Sequence, residues 1–281
     1  MRILKAERAG FCFGVKRAID MAFKVADECS NGVVTLGPII HNPQMIEKLE
    51  EAGIKYIDNV SDLDDLEGVR TVIIRTHGVP LKDIESLEHK GVEVVDATCP
   101  FVKKAQDYAR FLSDNEYKVV ILGDREHPEV KGIMSYAGKD VVVVKEASEY
   151  KPLSGRIGII VQTTKHMDDL KDLLSVAIYG AKELRVFNTI CSSTDLKLNE
   201  TEELSSQVDI MLVVGGRNSA NTTRVANLSR SLSVPTHHIE TASEVKEVWF
   251  TDVNTVGVTA GASTPDWIID EVINRLKDIG G

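Results

Sequence analysis

Short runs rich in Val and Ile alternate with amphipathic stretches along the chain. The apolar runs start at Ile3 and recur at residues 33–37, 72–75, 92–97, 119–123, 141–145, 157–162, 210–215 and 256–260. Many lack polar alternation, as parallel strands covered on both faces do. Between them apolar residues follow helical spacing. Val15, Ile19, Ala22 and Phe23 mark the first helix, and residues 43–52, 80–89, 100–113, 128–136, 167–177, 219–232 and 265–277 predict seven more. Pro43, Pro80, Pro100, Pro128 and Pro265 open five of these, where a fixed φ and a missing N–H suit the first turn. Alternation of this kind predicts an α/β fold with mostly parallel sheets. The acidic residues 58–67 read as a solvated loop and short helix.

A repeat runs through this pattern. Cys12-x-x-Val15-Lys16-Arg17-Ala18 matches Cys99-x-x-Val102-Lys103-Lys104-Ala105, each cysteine at a strand end before a new helix. Cys191 follows the strand-like residues 185–190 and precedes Ser192, Ser193 and Thr194, which suit a helix cap. The three cysteines are 87 and 92 residues apart, about one α/β unit each. His41, His127 and Ser219 lie 29, 28 and 28 residues beyond their cysteines, and His77, Thr163 and Ser263 lie 65, 64 and 72 residues beyond. All six sit just past predicted strand ends, where open α/β sheets collect ligands. The repeat predicts three units, 14–98, 99–190 and 191–281, with the N-terminal strand, 1–13, packing on the third. Around a pseudo-threefold axis, three cysteines and about six polar loops would face one centre.

Composition narrows the chemistry. A net charge of −10 argues against a general nucleic-acid or anionic-membrane binder. No apolar run has the length of a membrane span. Lys5, Glu7 and Arg8 interrupt any secretory h-region, so the expected location is the cytoplasm. Four cysteines in 281 residues do not make a disulfide scaffold. Cys29, outside the repeat, reads as incidental.

Cys12, at a strand-to-helix turn, meets helix amides that favour an anion. Three convergent thiolates outside any CxxC pair suit a zinc site with a fourth ligand, or an iron–sulfur cluster with one iron open to substrate. The wide spacing favours the cluster. His41, His77, His127, Ser219, Asn221 and Ser263 offer hydrogen-bond donors before helix N-termini, a setting for phosphate or diphosphate. No Walker lysine and no Gly-x-Gly-x-x-Gly is present. Glu129 is the one acid in the group. It suits proton transfer near an open iron, and equally an ion pair with Lys131. His89, His166, His237 and His238 are given no role.

These residues resemble the LytB family of hydroxymethylbutenyl diphosphate reductases. The matching motifs are Gly10-Phe11-Cys12-Phe13-Gly14-Val15, Gly37-Pro38-Ile39-Ile40-His41-Asn42, His77-Gly78-Val79, Asp96-Ala97-Thr98-Cys99-Pro100, His127-Pro128-Glu129-Val130, Gln162-Thr163-Thr164, Thr189-Ile190-Cys191, Asn218-Ser219 with Asn221, and Gly261-Ala262-Ser263-Thr264-Pro265-Asp266. They span the whole chain in order. The resemblance implies a trefoil of three α/β units around one [4Fe–4S] cluster held by Cys12, Cys99 and Cys191, its fourth iron open to substrate. It implies that His41, His77, Ser219, Asn221 and Ser263 hold a diphosphate with His127 nearby, that Thr163 orders the substrate hydroxyl, and that Glu129 delivers protons. The implied reaction is reductive dehydroxylation of an allylic diphosphate to isopentenyl and dimethylallyl diphosphates, the last step of the methylerythritol phosphate route. Its electrons would come from a ferredoxin or flavodoxin.

Two positions depart from the family pattern. Ala220 stands where a second Ser is usual, leaving its backbone N–H or Thr222 as the substitute donor. After Cys191 the usual Thr-x-x-Arg-Gln becomes Thr194 followed by Lys197 and Leu198. Lys lacks the planar fork of Arg, which points to altered local salt bridging or docking. Competing readings are a cluster-dependent dehydratase acting on a phosphorylated small molecule, and a non-enzymatic metal-binding or ligand-sensing module.

Overall fold

The computed structural model describes residues 1–29, 32–40 and 42–280. Its strands are β1 (Arg2–Lys5), β2 (Val33–Leu36), β3 (Lys55–Ile57), β4 (Thr71–Ile74), β5 (Glu93–Asp96), β6 (Lys118–Leu122), β7 (Val141–Val144), β8 (Gly155–Val161), β9 (Ala181–Phe187), β10 (Ile210–Val214), β11 (Thr236–Ile239) and β12 (Thr255–Ala260). Its helices are α1 (Phe13–Glu28), α2 (Pro43–Glu51), α3 (Leu81–His89), α4 (Pro100–Asp114), α5 (Pro128–Tyr136), α6 (Met167–Ala177), α7 (Ser192–Ser205), α8 (Ala220–Ser231) and α9 (Asp266–Gly280).

The chain forms two compact units. One comprises residues 1–16, 40–51 and 192–281, and the other residues 17–39 and 52–191. The first holds the sheet β1-β12-β10-β11. The second holds β5-β4-β2-β3 and β9-β8-β6-β7. Every pairing is parallel. The three orders are the same, with β1, β5 and β9 at corresponding edges. β1, the N-terminal strand, completes the third copy, running from Arg2 beside Thr255 to Lys5 beside Val258. The expected α/β class and parallel sheets are both present.

Strand side chains alternate faces, and in these sheets both faces are covered. In β6, Val119 and Ile121 pack with Ala105, Ala109 and Leu112 of α4 and with Val130 and Ile133 of α5. Val120 and Leu122 face the other way, onto Leu170, Leu173 and Ala177 of α6. This two-sided burial explains the missing polar alternation, and each such side chain contributes about 1.5–3 kcal/mol relative to exposure. In the first unit, Leu212, Val214, Val256 and Val258 lie in one core with Ile268, Ile269, Val272 and Leu276 of α9.

Three strands differ from expectation. β3 and β11 lie at sheet edges and read Lys-Tyr-Ile and Thr-His-His-Ile, too polar to stand out. β9 covers Ala181–Phe187, earlier than the expected 185–190, because an edge strand exposing Lys182 and Glu183 hides its start. In 58–67, Val60–Asp65 forms a 3-10 turn capped by Asn59.

Candidate active-site loops

Equivalent strand ends carry equivalent backbone contacts. Gly37, Gly123 and Gly215 each donate an N–H to the last residue of the neighbouring strand, Ile57 (2.7 Å), Val144 (2.8 Å) and Ile239 (2.8 Å). The cysteines repeat likewise. Cys12 N–H donates to Ala262 O (3.3 Å), Cys99 N–H to Thr76 O (2.9 Å) and Cys191 N–H to Thr163 O (2.8 Å). Each cysteine loop is therefore stitched to the loop that carries Ser263, His77 or Thr163. Each cysteine is a half-buried thiol at the mouth of a helix, before α1, α4 and α7 respectively. Cys29 is elsewhere. Its Sγ lies 3.9 Å from Thr71 Oγ1, at the N-terminal end of β4, opposite to Cys99.

In the second unit, Glu129 is 1% exposed. Its Oε1 accepts the Thr163 N–H (2.7 Å) and its Oε2 accepts the Thr163 hydroxyl (2.8 Å). Burial pushes the carboxyl up to about 7, against the lowering effect of both hydrogen bonds. A carboxylic acid poised there can give or take a proton near neutrality. Lys131 pairs instead with Glu126 (2.8 Å), so the ion-pair reading of Glu129 is set aside. His127 caps α5, its Nδ1 accepting the Glu129 N–H (3.2 Å), which places the ring proton of the neutral form on Nε2. The His77 ring meets His127 edge-on at 5.2 Å. Gln162 Oε1 accepts the Asp124 N–H (2.9 Å), tying the His127 loop to the Thr163 loop. Thr76, beside His77, donates its hydroxyl to Ile39 O (2.9 Å).

In the first unit, Ser219 caps α8, its Oγ accepting the Thr222 N–H (3.4 Å). Ser263 Oγ donates to Ser219 Oγ at 3.4 Å, so two hydroxyls from adjacent strand ends meet before a helix N-terminus, where an anion is favoured. Asn221 is half-buried one residue into the helix. Thr222, the expected substitute for the hydroxyl missing at Ala220, keeps its Oγ1 buried without a hydrogen-bond partner among the described residues. It is 0% exposed, and a Cβ on Gly261 would lie 1.9 Å from its Oγ1. His41 lies outside the described residues, as does the side chain of Ala220.

Lys197 and Glu200 of α7 were given no binding role from sequence, and both hold the approach to Cys12. Lys197 Nζ donates to the main-chain carbonyls of Arg8, Gly10 (2.9 Å) and Ala260 (2.9 Å). Glu200 accepts the N–H groups of Glu7 (2.6 Å) and Arg8 (3.0 Å). Burial lowers Lys197 to about 8, and negative charge on Cys12, when that residue is ionised, is the main opposing effect. The departure at Lys197 therefore concerns internal packing of the Cys12 loop, and no side-chain salt bridge.

The family model for LytB protein matches residues 3–277. The 4-hydroxy-3-methylbut-2-enyl diphosphate reductases of Pelobacter propionicus and Trichlorobacter lovleyi are 52% and 49% identical to this chain, covering 99% of it and of themselves. A solved structure of (E)-4-hydroxy-3-methyl-but-2-enyl diphosphate reductase, the terminal enzyme of the non-mevalonate pathway, is 39% identical. It superposes with a TM-score of 0.80 over 99% of this chain and 100% of that one. The E-1-hydroxy-2-methyl-but-2-enyl-4-diphosphate reductase of Plasmodium falciparum is 24% identical with a TM-score of 0.85, covering 98% of this chain and 88% of that one, a likeness of fold. With the family model spanning nearly the whole chain, and relatives about half identical over its full length, this chain belongs to the LytB protein family.

Proposed function

We propose that the chain is a 4-hydroxy-3-methylbut-2-enyl diphosphate reductase. It converts that substrate to isopentenyl and dimethylallyl diphosphates. The observation that carries this reading is the buried Glu129 carboxyl, near 7, held by both the N–H and the hydroxyl of Thr163, on the loop that also anchors Cys191.

Family membership implies an iron–sulfur cofactor, and three thiol donors suit its chemistry, although no group of three His, Cys, Asp or Glu side chains is gathered to hold a metal ion among the described residues. Three half-buried thiols occupy equivalent strand ends, each fixed through its own N–H. Cys12, Cys99 and Cys191 would hold a [4Fe–4S] cluster, leaving one iron for substrate. When bound, the cluster supplies electrons singly and a Lewis-acidic iron. The rest falls to side chains. Ser219 and Ser263, with Asn221, His77 and His41, hold the diphosphate. Remote binding energy then positions the allylic C–O bond. Thr163 accepts from the substrate hydroxyl while it donates its own proton to Glu129. The hydroxyl leaves as water. Two electrons and two protons balance the reaction, one proton going to the departing oxygen and one to carbon. Glu129 relays protons, and His127, fixed by its bond to the Glu129 N–H, lies beside His77 at the diphosphate end. The repeat boundaries 14–98, 99–190 and 191–281 belong to this reading, since each unit carries two polar loops; the second and third open on Cys99 and Cys191, while Cys12 comes from the segment 1–13 just before the first. The electron donor in this reading is a ferredoxin or flavodoxin.

The test is turnover after anaerobic reconstitution, with dithionite and a viologen as reductant. Formation of both isoprenyl diphosphates, strictly dependent on reductant, supports the proposal. Turnover without reductant would identify a dehydratase, and absence of any turnover with a loaded cluster would overturn the assignment.

A further inference from the structure

Lys197 is 4% exposed, and the proposed chemistry makes no use of it. An ammonium carries three N–H donors, and here three main-chain carbonyls take them: Arg8, Gly10 and Ala260. One turn along α7, Glu200 takes the N–H groups of Glu7 and Arg8. Two side chains of one helix thus bind both the carbonyls and the amides of residues 7–10, immediately before Cys12. The far side of this stretch is equally closed. Gly10 has φ +95°, and a Cβ there would lie 2.8 Å from Asp266 Oδ1. Ala260 ends β12, and the chain runs from it to Ala262, which accepts the Cys12 N–H, and to Ser263. One ammonium therefore joins the backbone behind Cys12 to the strand end that leads to Ser263.

The charge is as telling as the contacts. No carboxylate lies within ion-pair distance of Lys197 among the described residues, and its hydrogen-bond partners are carbonyls. A buried cation is costly unless negative charge faces it. The groups whose negative charge favours this ammonium are Cys12, once ionised as a ligand, then Glu200 and Asp266, while Arg8 opposes it.

We propose that Lys197 is a positioning residue for the Cys12 ligand: it fixes the Arg8–Gly10 backbone behind that thiolate and supplies the positive charge that balances the metal centre. The inference rests on the reading of Cys12 as a cluster ligand. Lys197→Met removes charge and donors at similar length. Lys197→Gln keeps a neutral donor and repeats the charge comparison should the methionine variant not fold. Lys197→Arg keeps the charge.

The experiment compares wild type and these variants after anaerobic reconstitution, reading iron loss to a chelator and the reduction potential of the centre, with amide exchange of residues 7–12 read in the apoproteins. In Lys197→Met, iron loss is expected to accelerate roughly tenfold or more, as when other outer-sphere partners of metal ligands are removed. The potential moves to a more negative value, since a nearby cation favours the reduced state. Exchange at 7–12 speeds up in the apoprotein. Lys197→Arg restores the potential. A Lys197→Met protein with wild-type potential and iron retention overturns the inference alone. Iron loss that accelerates equally in all three variants at unchanged potential makes Lys197 a packing residue and also overturns it. A wild type that takes up no cluster overturns the reading beneath it.

Discussion

Glu129→Gln separates the proton-transfer role of this residue from its structural one. Gln keeps an acceptor for the Thr163 N–H at 2.7 Å, and its amide can donate to the Thr163 hydroxyl, which reverses its direction. Both contacts survive, but the exchangeable proton does not. Loss of a positioned acid typically lowers turnover by about 10²–10⁴-fold, with substrate binding and cluster content retained. The same change leaves a thermodynamic signature. In the folded protein the carboxyl is raised from 4.5 to about 7, so the folded state binds more protons than the unfolded state in that interval. Ionising Glu129 therefore destabilises the wild type as pH rises. At ~1.36 kcal/mol per pKa unit, the loss between pH 5 and pH 8 comes to about 2–3 kcal/mol. Denaturant unfolding of both apoproteins across this range should show Glu129→Gln gaining on the wild type by that amount. A constant stability difference across pH, or turnover within about tenfold of wild type, would refute the proton-donor role.

Other substitutions probe the surrounding contacts. Thr163→Ala strips the hydroxyl from Glu129 Oε2, costs about 1–3 kcal/mol, and moves the basic limb of the turnover–pH profile upward, both readable by unfolding and pH-rate measurements. Ser219→Ala removes the cap on the Thr222 N–H, costs about 1 kcal/mol of stability, and raises KM for the diphosphate more than it lowers kcat. Gly261→Ala places a methyl 1.9 Å from Thr222 Oγ1, so the Ser263 loop must move; a fall in Tm with a higher KM is expected, and an unchanged Tm would contradict the close packing.

The central strands were legible because their burial on both faces leaves a plain mark, an unbroken Val and Ile run at β6 or β10. The edge strands were not. β3 and β11 present polar residues outward, and their pairing is decided by the neighbour and not by their own composition. Helix starts followed the prolines at Pro43, Pro100 and Pro128, whereas Pro80 is a cap and α3 begins at Leu81. Among the site residues, the cysteine repeat was readable because it rests on offsets along the chain. The Glu129–Thr163 clamp was not, since the two are 34 residues apart and meet only through the register of β6 and β8. Lys197 was noticed as a departure, but nothing local signals that a lysine will be buried against three carbonyls 63 to 189 residues away.

The central claim is that three equivalent cysteine loops serve one cluster while the fourth cysteine does not. Its most direct test is iron and sulfide content of anaerobically reconstituted wild type beside Cys12→Ser, Cys99→Ser, Cys191→Ser and Cys29→Ser. The account predicts about four irons and four sulfides per chain in wild type and Cys29→Ser, with loss in each of the other three. Retention of a full cluster in any one of those three, or its loss in Cys29→Ser, would contradict it.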